Sequence, residues 1–345
     1  MSEIVVPSVD VVIPVYNAPV LTRRCIDSVV SYLGESIKHI YIQDDASDTE
    51  TCEMLDSLPY DNIHIFHSIK NQGFGASVND AISRSSASYI LVLNSDTEIS
   101  GNMLPSLCTA MSVDSQLAVI IPASNDYVDH DFNQYLRQPG NYILTYRLRG
   151  YAFLIRRSIF QEIGGFDPMF GRGYYEDIDL GRRIYERNWH IGVYPGSFIY
   201  HKGGGSFGRG LAYRELKRRN RTLYFSRYPS AKRNVVLLSG NCLLTDFPSG
   251  LLNAIDNVFQ KGGVVHWLSP EPATKLLCLH MQNNLANLSI VAKLMMFRGW
   301  LRKDKRISDV WILSPGAPNF LRILLALLSH VRGIKISAWK RSSTK

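Results

Sequence analysis

The tripeptide Asn94-Ser95-Asp96 points to chemistry more directly than any other part of this sequence. It follows the apolar run 89–93, which predicts a buried strand. In an α/β sheet the ligand crevice opens at the carboxyl ends of the strands, where a carboxylate is well placed to hold a divalent cation against a diphosphate. The same tripeptide would also suit an ordinary polar turn, so its interpretation depends on the surrounding residues.

A second group of carboxylates, Glu176 and Asp177, opens a predicted amphipathic helix. Acidic residues in a first helical turn commonly complement the helix dipole, which is the simpler interpretation. The preceding segment 170–175 is rich in glycine and aromatic residues. Glycine lets a bulky ligand approach the backbone, and the rings give it a face for stacking. This segment favours ligand binding over capping alone.

Strands and helices alternate through the first half of the chain, and these elements would carry the acidic groups. Strand-like apolar runs are separated by stretches with helical periodicity, which predicts an α/β fold with a mostly parallel central sheet. Ligands bind such a sheet at the carboxyl ends of its strands. A further strand and helix follow an irregular stretch, 124–146. The predicted strands cover 9–14, 37–42, 63–66, 89–93 and 149–156.

Charge is divided unevenly along the chain. Residues 1–200 contain 14 Lys and Arg against 24 Asp and Glu, whereas residues 201–345 contain 24 against 6, giving net charges of −10 and +18. Much of the positive charge falls within 214–233. This pattern suits an anionic partner, either a membrane surface, a lipid-linked phosphate or nucleic acid, although a solvated basic face has the same composition.

The composition also excludes several classes of protein. Five cysteines without paired spacing argue against a disulfide framework or a zinc site, and fit a reducing cytosol. The first residues lack the basic start and apolar core of a signal peptide. No run reaches the roughly 18 to 20 apolar residues that a membrane span needs. We expect a cytoplasmic protein, at most peripheral on the inner face of the cell membrane.

Seven motifs occur in an order that resembles the family-2 glycosyltransferases, and most of all their bacterial rhamnosyltransferase branch. The resemblance covers about residues 8–230. It implies a GT-A fold for a catalytic domain over 1–233, a nucleoside-diphosphate sugar donor, inversion at the anomeric carbon, and Mg²⁺ or Mn²⁺. The motifs are Val11–Asn17, Asp44–Asp48, Asn71–Gly75, Asn94–Asp96, Gly164–Asp167, Glu176–Leu180 and His201–Ser206.

The resemblance also assigns donor-binding residues. Asp44, or failing that Asp45, would accept a hydrogen bond from the imide nitrogen of uracil or thymine. The nucleoside pocket would be lined by Pro14, Tyr16 and Asn17, the diphosphate bordered by Gly73 and Phe74, and the metal motif begun by Asn94 and Ser95.

The metal and the base follow from the same resemblance. Asp96 would bind the cation, with Asn94 standing where the family often has its first aspartate. His201 would complete the metal site, although a lone histidine is more often structural. Asp177 would take the proton of the acceptor hydroxyl, and Glu176 would hydrogen-bond the acceptor or serve as the alternative base.

Residues 234–345 lie beyond the resemblance and predict a small α/β domain. Its predicted strands cover 234–240, 263–269 and 310–314, with helices over 250–260 and 286–297. It distantly resembles the opening half of a two-domain glycosyltransferase, which would make it a truncated second transferase domain. Its apolar segments 286–300 and 321–331 have basic flanks, so they would suit anionic lipid headgroups or an acceptor, or equally a protein core.

Two other functions compete with sugar transfer. A nucleotidyltransferase would share the sheet and the metal, but its glycine-rich basic loop is missing after the first strand. A non-catalytic module binding sugar or nucleic acid would use the basic tail and exposed aromatics, but would not need both Asp96 and Asp177. We therefore expect transfer from a UDP- or dTDP-sugar, with dTDP-rhamnose a candidate, to a growing cell-surface glycan such as O-antigen. The acceptor would be lipid-linked, and no nucleic-acid partner is expected.

Overall fold

The computed structural model describes residues 8–203, 210–286, 303–314, 323, 325–327, 330 and 333–341. The chain divides into two compact units. The first unit comprises Met1–His130, Arg137–Ile143 and Arg147–Tyr224. The second comprises Asp131–Leu136, Leu144–Tyr146 and Phe225–Lys345. The second unit therefore includes two short pieces of the stretch 124–146, and the domain boundary at residue 233 stays a prediction.

The first unit is built on a nine-stranded, mostly parallel sheet with path order β3-β2-β1-β4-β8-β6-β9-β5, and β7 pairs with β9. Strand β8 runs antiparallel to β4 and β6, and β5 runs antiparallel to β9. The strands are β1 Val9–Val15, β2 Ile40–Asp44, β3 Ile63–His67, β4 Tyr89–Leu93, β5 Thr97–Ile99, β6 Leu117–Ser124, β7 Ile143–Leu144, β8 Ala152–Arg156 and β9 His190–His201. The predicted α/β class and mostly parallel sheet are confirmed.

Helices connect these strands, and local sequence explains where they start. Helix α2 is capped by Asp48, whose side chain accepts a hydrogen bond from the Thr51 amide at 2.9 Å. Helix α1 begins at Pro19, which needs no amide partner in a first turn. The helices are α1 Pro19–Leu33, α2 Thr49–Asp56, α3 Phe74–Arg84, α4 Leu104–Val113, α5 Arg157–Glu162, α6 Glu176–Glu186 and α7 Leu211–Arg227.

Strand register brings the polar strand ends to one edge of the sheet. Every residue of β1 is buried, as expected for a strand covered on both faces. In the parallel ladder Val15 pairs with Asp44, and Val12 pairs with Val92 just before the end of β4. The segments that follow β1, β2 and β4 therefore meet, and the predicted convergence of acidic clusters on one edge is confirmed for those at the ends of β2 and β4.

Helix α6 is fixed by a buried ion pair. The Asp179 side chain is fully buried, and its carboxylate lies 2.7 Å from Nε of Arg183. The same guanidinium donates to the backbone carbonyls of Ile163 and Gly165, each at 2.7 Å. One side chain therefore joins α6 to the glycine turn that precedes the site, and it stabilises both.

The second unit contains a parallel five-stranded sheet with order β12-β11-β10-β13-β14. Its strands are β10 Asn234–Leu238, β11 Val264–Ser269, β12 Gln282–Leu285, β13 Asp309–Ser314 and β14 Lys335–Lys340, and helix α8 is Ser249–Gln260. The predicted strands β10, β11 and β13 and the predicted helix α8 are confirmed. The apolar segments at 286–300 and 321–331 lie wholly or largely outside the described residues. Among the described residues, no helix is long and apolar enough to cross a membrane.

We expect Arg183→Met to lower the free energy of unfolding by about 3 kcal/mol, because it leaves the buried Asp179 carboxylate without its guanidinium partner. Urea denaturation followed by circular dichroism measures this change. The control is Arg187→Met, which removes an exposed contact to Glu162 at 3.5 Å and should cost less than about 1 kcal/mol. Equal losses in both variants would contradict the role given to the buried pair.

Candidate active site

A cavity of about 550 Å³ lies in the first unit. Eleven of the thirteen residues predicted from the sequence line it, and two, Asn17 and Asp44, are not among its lining residues. The cavity therefore brings together motifs that lie up to almost 190 residues apart in the chain. The lining residues that were predicted are Pro14, Tyr16, Asp45, Gly73, Phe74, Asn94, Ser95, Asp96, Glu176, Asp177 and His201.

The two consecutive aspartates after β2 have different surroundings. Asp44 is 1% exposed, and its carboxylate accepts from the Ser47 amide and contacts Nδ1 of His67 at 2.8 Å. Asp45 lines the cavity and accepts hydrogen bonds from the amides of Gln72 and Gly73, at 2.6 and 2.8 Å. Of the two residues predicted to contact the base, the structure brings Asp45 to the cavity wall and turns Asp44 toward β3.

Asn17 joins the segments after β1 and β2. Its amide donates to the Ser47 hydroxyl at 2.8 Å, and its side-chain oxygen accepts from the Asp48 amide at 2.9 Å. Its φ of 57° lies in the left-handed region, which asparagine tolerates better than most residues. Asn17 thereby orders the wall that carries Pro14 and Tyr16.

Gly73 allows two loops to approach closely. Its φ is 94°, and a Cβ at this position would lie 2.5 Å from both Cα of Arg172 and the carbonyl oxygen of Gly171. Any larger residue would push the segment 171–172 away. Since Asp45 also holds the Gly73 amide, the loop before α3 is fixed on both sides.

Asp96 and His201 are neighbours. Nε2 of His201 lies 3.5 Å from the Asp96 carboxylate, and Nδ1 lies 3.2 Å from Asp126. The ring stacks on Tyr151 with centroids 5.1 Å apart. Burial by itself lowers the pKa of His201, but the hydrogen bonds to Asp96 and Asp126 outweigh it, so the net shift is upward.

Asn94 supplies the observation that tests the metal site. Its side-chain oxygen is buried and, within the part of the chain that the structure describes, has no hydrogen-bond partner. An amide oxygen, the Asp96 carboxylate and the His201 imidazole form a donor set that a divalent cation accepts. The residues present therefore fit a divalent cation.

A second group of side chains has metal-ligand types but a different setting. One ligand atom each from Asp44, Cys52 and His67 lies within 4.8 Å of the others. His67 bridges Asp44 and Asp56 through its two ring nitrogens, so the contacts are those of a hydrogen-bonded network. Neither Cys52 nor His67 is among the residues lining the cavity.

Glu176 and Asp177 start α6 and differ in how well their charge is stabilised. Burial, followed by the Asp177 charge, raises the pKa of Glu176 to about 8. One Glu176 oxygen is buried and, among the described residues, unpartnered. Burial also raises the pKa of Asp177, but the Ile178 amide and the Arg149 charge oppose that shift. The Ile178 amide and Arg149 therefore favour the ionised form of Asp177, whereas burial favours the protonated form of Glu176.

Sequence reasoning missed several cavity residues. The basic side chains Arg149, Arg172 and Lys217 line it, as do Asp126 and Tyr151. Arg149 opens the predicted strand 149–156, and Arg172 lies in the glycine-rich segment 170–175. Their positions in segments already assigned to the site could have identified them as cavity residues. Asp126 and Lys217 lie in an irregular stretch and a basic helix, where nothing in the local pattern separates them from their neighbours.

Comparison with known proteins agrees with this geometry. The family model described as Glycosyl transferase family 2 matches residues 10–173, which include the Asp45, Gly73 and Asp96 segments. This part of the chain belongs to glycosyl transferase family 2. The family resemblance found in the sequence is confirmed, and α6, β9 and α7 lie beyond the matched residues.

Among curated relatives, the probable glycosyltransferase YdaM of Bacillus subtilis is 26% identical over 217 residues, which are 56% of this chain and 50% of that protein. The N-acetylglucosaminyl-diphospho-decaprenol L-rhamnosyltransferase of Mycobacterium tuberculosis is 39% identical over 62 residues, 18% of this chain and 20% of that protein. The chain thus matches half or less of the length of these relatives.

Solved glycosyltransferases share the fold. GalNAc-T7, in a crystal structure with UDP, GalNAc and Mn²⁺, superposes with a TM-score of 0.50 at 14% sequence identity, covering 65% of this chain and 49% of that one. The first unit has the GT-A fold, as predicted.

The raised pKa of Glu176 makes stability depend on pH. Above its ordinary pKa the unfolded chain releases this proton while the native protein keeps it, so native stability falls as pH rises toward 8. Glu176→Gln removes this loss. We expect its melting temperature, relative to wild type, to be at least about 3 °C higher at about pH 8.5 than at about pH 4.5.

Differential scanning fluorimetry across that pH range measures the difference. Glu53→Gln is the matched control, because Glu53 is exposed on α2. The difference in melting temperature between this variant and wild type should not change with pH. A flat profile for Glu176→Gln would show that its carboxyl group is not held protonated in the native state.

Proposed function

We propose that this protein is an inverting glycosyltransferase that moves a sugar from a nucleoside-diphosphate donor to a hydroxyl group of a glycan. One observation carries the proposal: Asp96 and Asp177, from segments 81 residues apart, line the same cavity. Direct displacement needs a stabilised leaving group and a proton acceptor, and here one carboxylate would hold the cation that stabilises the diphosphate while the other would accept the proton.

The donor would bind along the wall built from the ends of β1, β2 and β4. The guanidinium carbon of Arg172 lies 5.9 Å from the centroid of the Tyr16 ring. Nε of Arg172 also donates a hydrogen bond to the Asn71 side-chain oxygen at 3.0 Å. A cation and an aromatic ring at one rim suit a nucleotide, whose base stacks and whose phosphates are anionic. Asp45, which lines the cavity, would contact the base.

A divalent cation would be held by Asp96 and His201, with Asn94 supplying the side-chain oxygen that has no partner within the described part of the chain. When bound, Mg²⁺ or Mn²⁺ stabilises the negative charge that develops on the departing diphosphate. Asp126, 3.2 Å from Nδ1 of His201, orients the imidazole so that Nε2 faces Asp96.

Asp177 would act as the base. In its ionised form it would accept the proton from the acceptor hydroxyl as that oxygen attacks the anomeric carbon, and the sugar–phosphate bond would break on the opposite side. Inversion follows from a single displacement. Glu176, protonated, would donate a hydrogen bond to the acceptor, and its neutrality keeps a second negative charge away from the anionic donor.

The acceptor would be a growing glycan carried on a lipid diphosphate at an anionic membrane surface. The excess of 24 Lys and Arg over 6 Asp and Glu in residues 201–345 supports an anionic partner. A mycobacterial relative is named for transfer of L-rhamnose to a diphospho-decaprenol-linked sugar, which supports dTDP-rhamnose as the donor to test first.

Two variants should separate binding from chemistry. We expect Asp177→Asn to bind UDP or dTDP with Mn²⁺ within about threefold of wild type but to lower kcat at least about 10³-fold. Asp96→Asn should instead weaken Mn²⁺-dependent nucleotide binding at least about tenfold, because it removes the charged ligand. Titration calorimetry with each nucleotide and Mn²⁺, and release of nucleoside diphosphate from a panel of UDP- and dTDP-sugars, measure the two effects.

Glu98→Gln is the matched control, since Glu98 lies two residues from Asp96 and contacts the exposed Arg24 at 3.8 Å. This variant should retain both Mn²⁺-dependent nucleotide binding and release of nucleoside diphosphate. Wild-type protein that neither binds these nucleotides with Mn²⁺ nor releases nucleoside diphosphate from any donor would refute the proposed function.

A further inference from the structure

Helix α7 lies outside the residues matched by the family model, yet it contacts the loop that immediately precedes the two carboxylates of α6. Asn220 is the point of contact. Its side chain is fully buried, and its Nδ2 lies 2.6 Å from the carbonyl oxygen of Phe170, 2.7 Å from that of Gly173 and 3.0 Å from that of Tyr174. One amide group thus holds three carbonyls of a single loop.

The loop that Asn220 holds has an unusual backbone. Gly173, Tyr174 and Tyr175 have φ values of 145°, 70° and 76°. Glycine adopts such angles freely, but two consecutive tyrosines do not, so the surrounding structure must impose them. Tyr175 is also the residue immediately before α6, and its conformation determines where Glu176 and Asp177 begin.

Ring contacts from the same helix support the turn. Tyr174 meets Tyr213 edge-on with centroids 4.9 Å apart, and Tyr175 packs against Tyr224 at 5.4 Å. Both partners lie on α7, on either side of Asn220 in sequence. The other side of the loop rests against Gly73, where no side chain intervenes. The loop 170–175 is therefore held between the segment before α3, which it meets at 171–172, and α7.

We propose that Asn220 is a positioning residue of this site: its amide NH₂ group, whose two hydrogens are shared among three carbonyls, holds the turn Gly173–Tyr175 in the left-handed conformation that aims Asp177 into the cavity. Asn220 is not among the residues that line the cavity, so it acts through the loop. The catalytic part of this inference rests on the proposed function, whereas the structural part does not.

Hydrogen exchange tests the structural part without substrate. In Asn220→Ala, amides within 171–178 should exchange at least about tenfold faster than in wild type, because the turn loses the side-chain NH₂ group that donates to its carbonyls. Asn234→Ala is the matched control: it removes another buried amide, which donates to the Lys232 and Asp304 carbonyls of the second unit. In that variant exchange within 171–178 should stay unchanged.

Steady-state kinetics test the catalytic part. With a donor that wild type uses, Asn220→Ala should lower kcat at least about 30-fold while the donor KM changes less than about threefold, because a misplaced base affects the chemical step. Asn220→Asp keeps the side-chain shape and the oxygen that accepts from Arg219, but cannot donate to the carbonyls, so it should resemble Ala.

The outcomes separate the two proposals. Unchanged exchange in Asn220→Ala, equal acceleration in Asn234→Ala, or wild-type behaviour of Asn220→Asp would overturn the positioning role. Faster exchange with unchanged kcat would overturn its catalytic part. If wild type transfers no sugar, the proposed function fails, and the exchange measurement still decides whether Asn220 holds the turn.

Discussion

The site depends on keeping carboxylates in two different electrostatic environments within one cavity. Asp96 lies beside the His201 imidazole, and Asn94, whose side-chain oxygen has no partner among the described residues, lines the same cavity, a donor set that suits a cation. Asp177 lies beside a second, buried carboxyl group and is stabilised by an amide and by Arg149. If both environments were alike, neither a metal nor a proton would be directed to one side of a bound sugar.

Backbone geometry creates these environments. Parallel register brings the ends of β1, β2 and β4 to one edge, and Asp45 then ties the loop before α3 to that edge through two amides. Gly73 lets the loop at 171–172 approach within contact of it. The positions of the α6 carboxylates thus depend on a series of close backbone contacts. These contacts require a residue without a side chain at Gly73 and the hydrogen bonds that Asp45 accepts.

The sequence predicted most of the first unit because its signals are local. Buried runs such as Val9–Val15 and the Asp48 cap can be recognised without tertiary information, and the order of the motifs suggested the roles that we propose. Local pattern could not decide between Asp44 and Asp45, since which of two adjacent side chains faces the cavity depends on contacts with His67 and the Gly73 loop.

Two other kinds of feature were beyond the sequence. The polar segment Gln282–Leu285 forms β12 by pairing with β11, a tertiary effect that overrides its low strand propensity. Lys217 and Asn220 belong to a helix whose many basic residues look alike in sequence. Only the fold distinguishes the lysine that lines the cavity and the asparagine that holds the loop.

The most direct test is a crystal structure grown with UDP or dTDP and MnCl₂, with the anomalous signal of manganese used to locate the ion. The account predicts a manganese peak within about 2.5 Å of the Asp96 carboxylate, bound to the diphosphate, with Asp177 across the same cavity. A manganese ion or a nucleotide bound at another surface, with this cavity unoccupied, would contradict it.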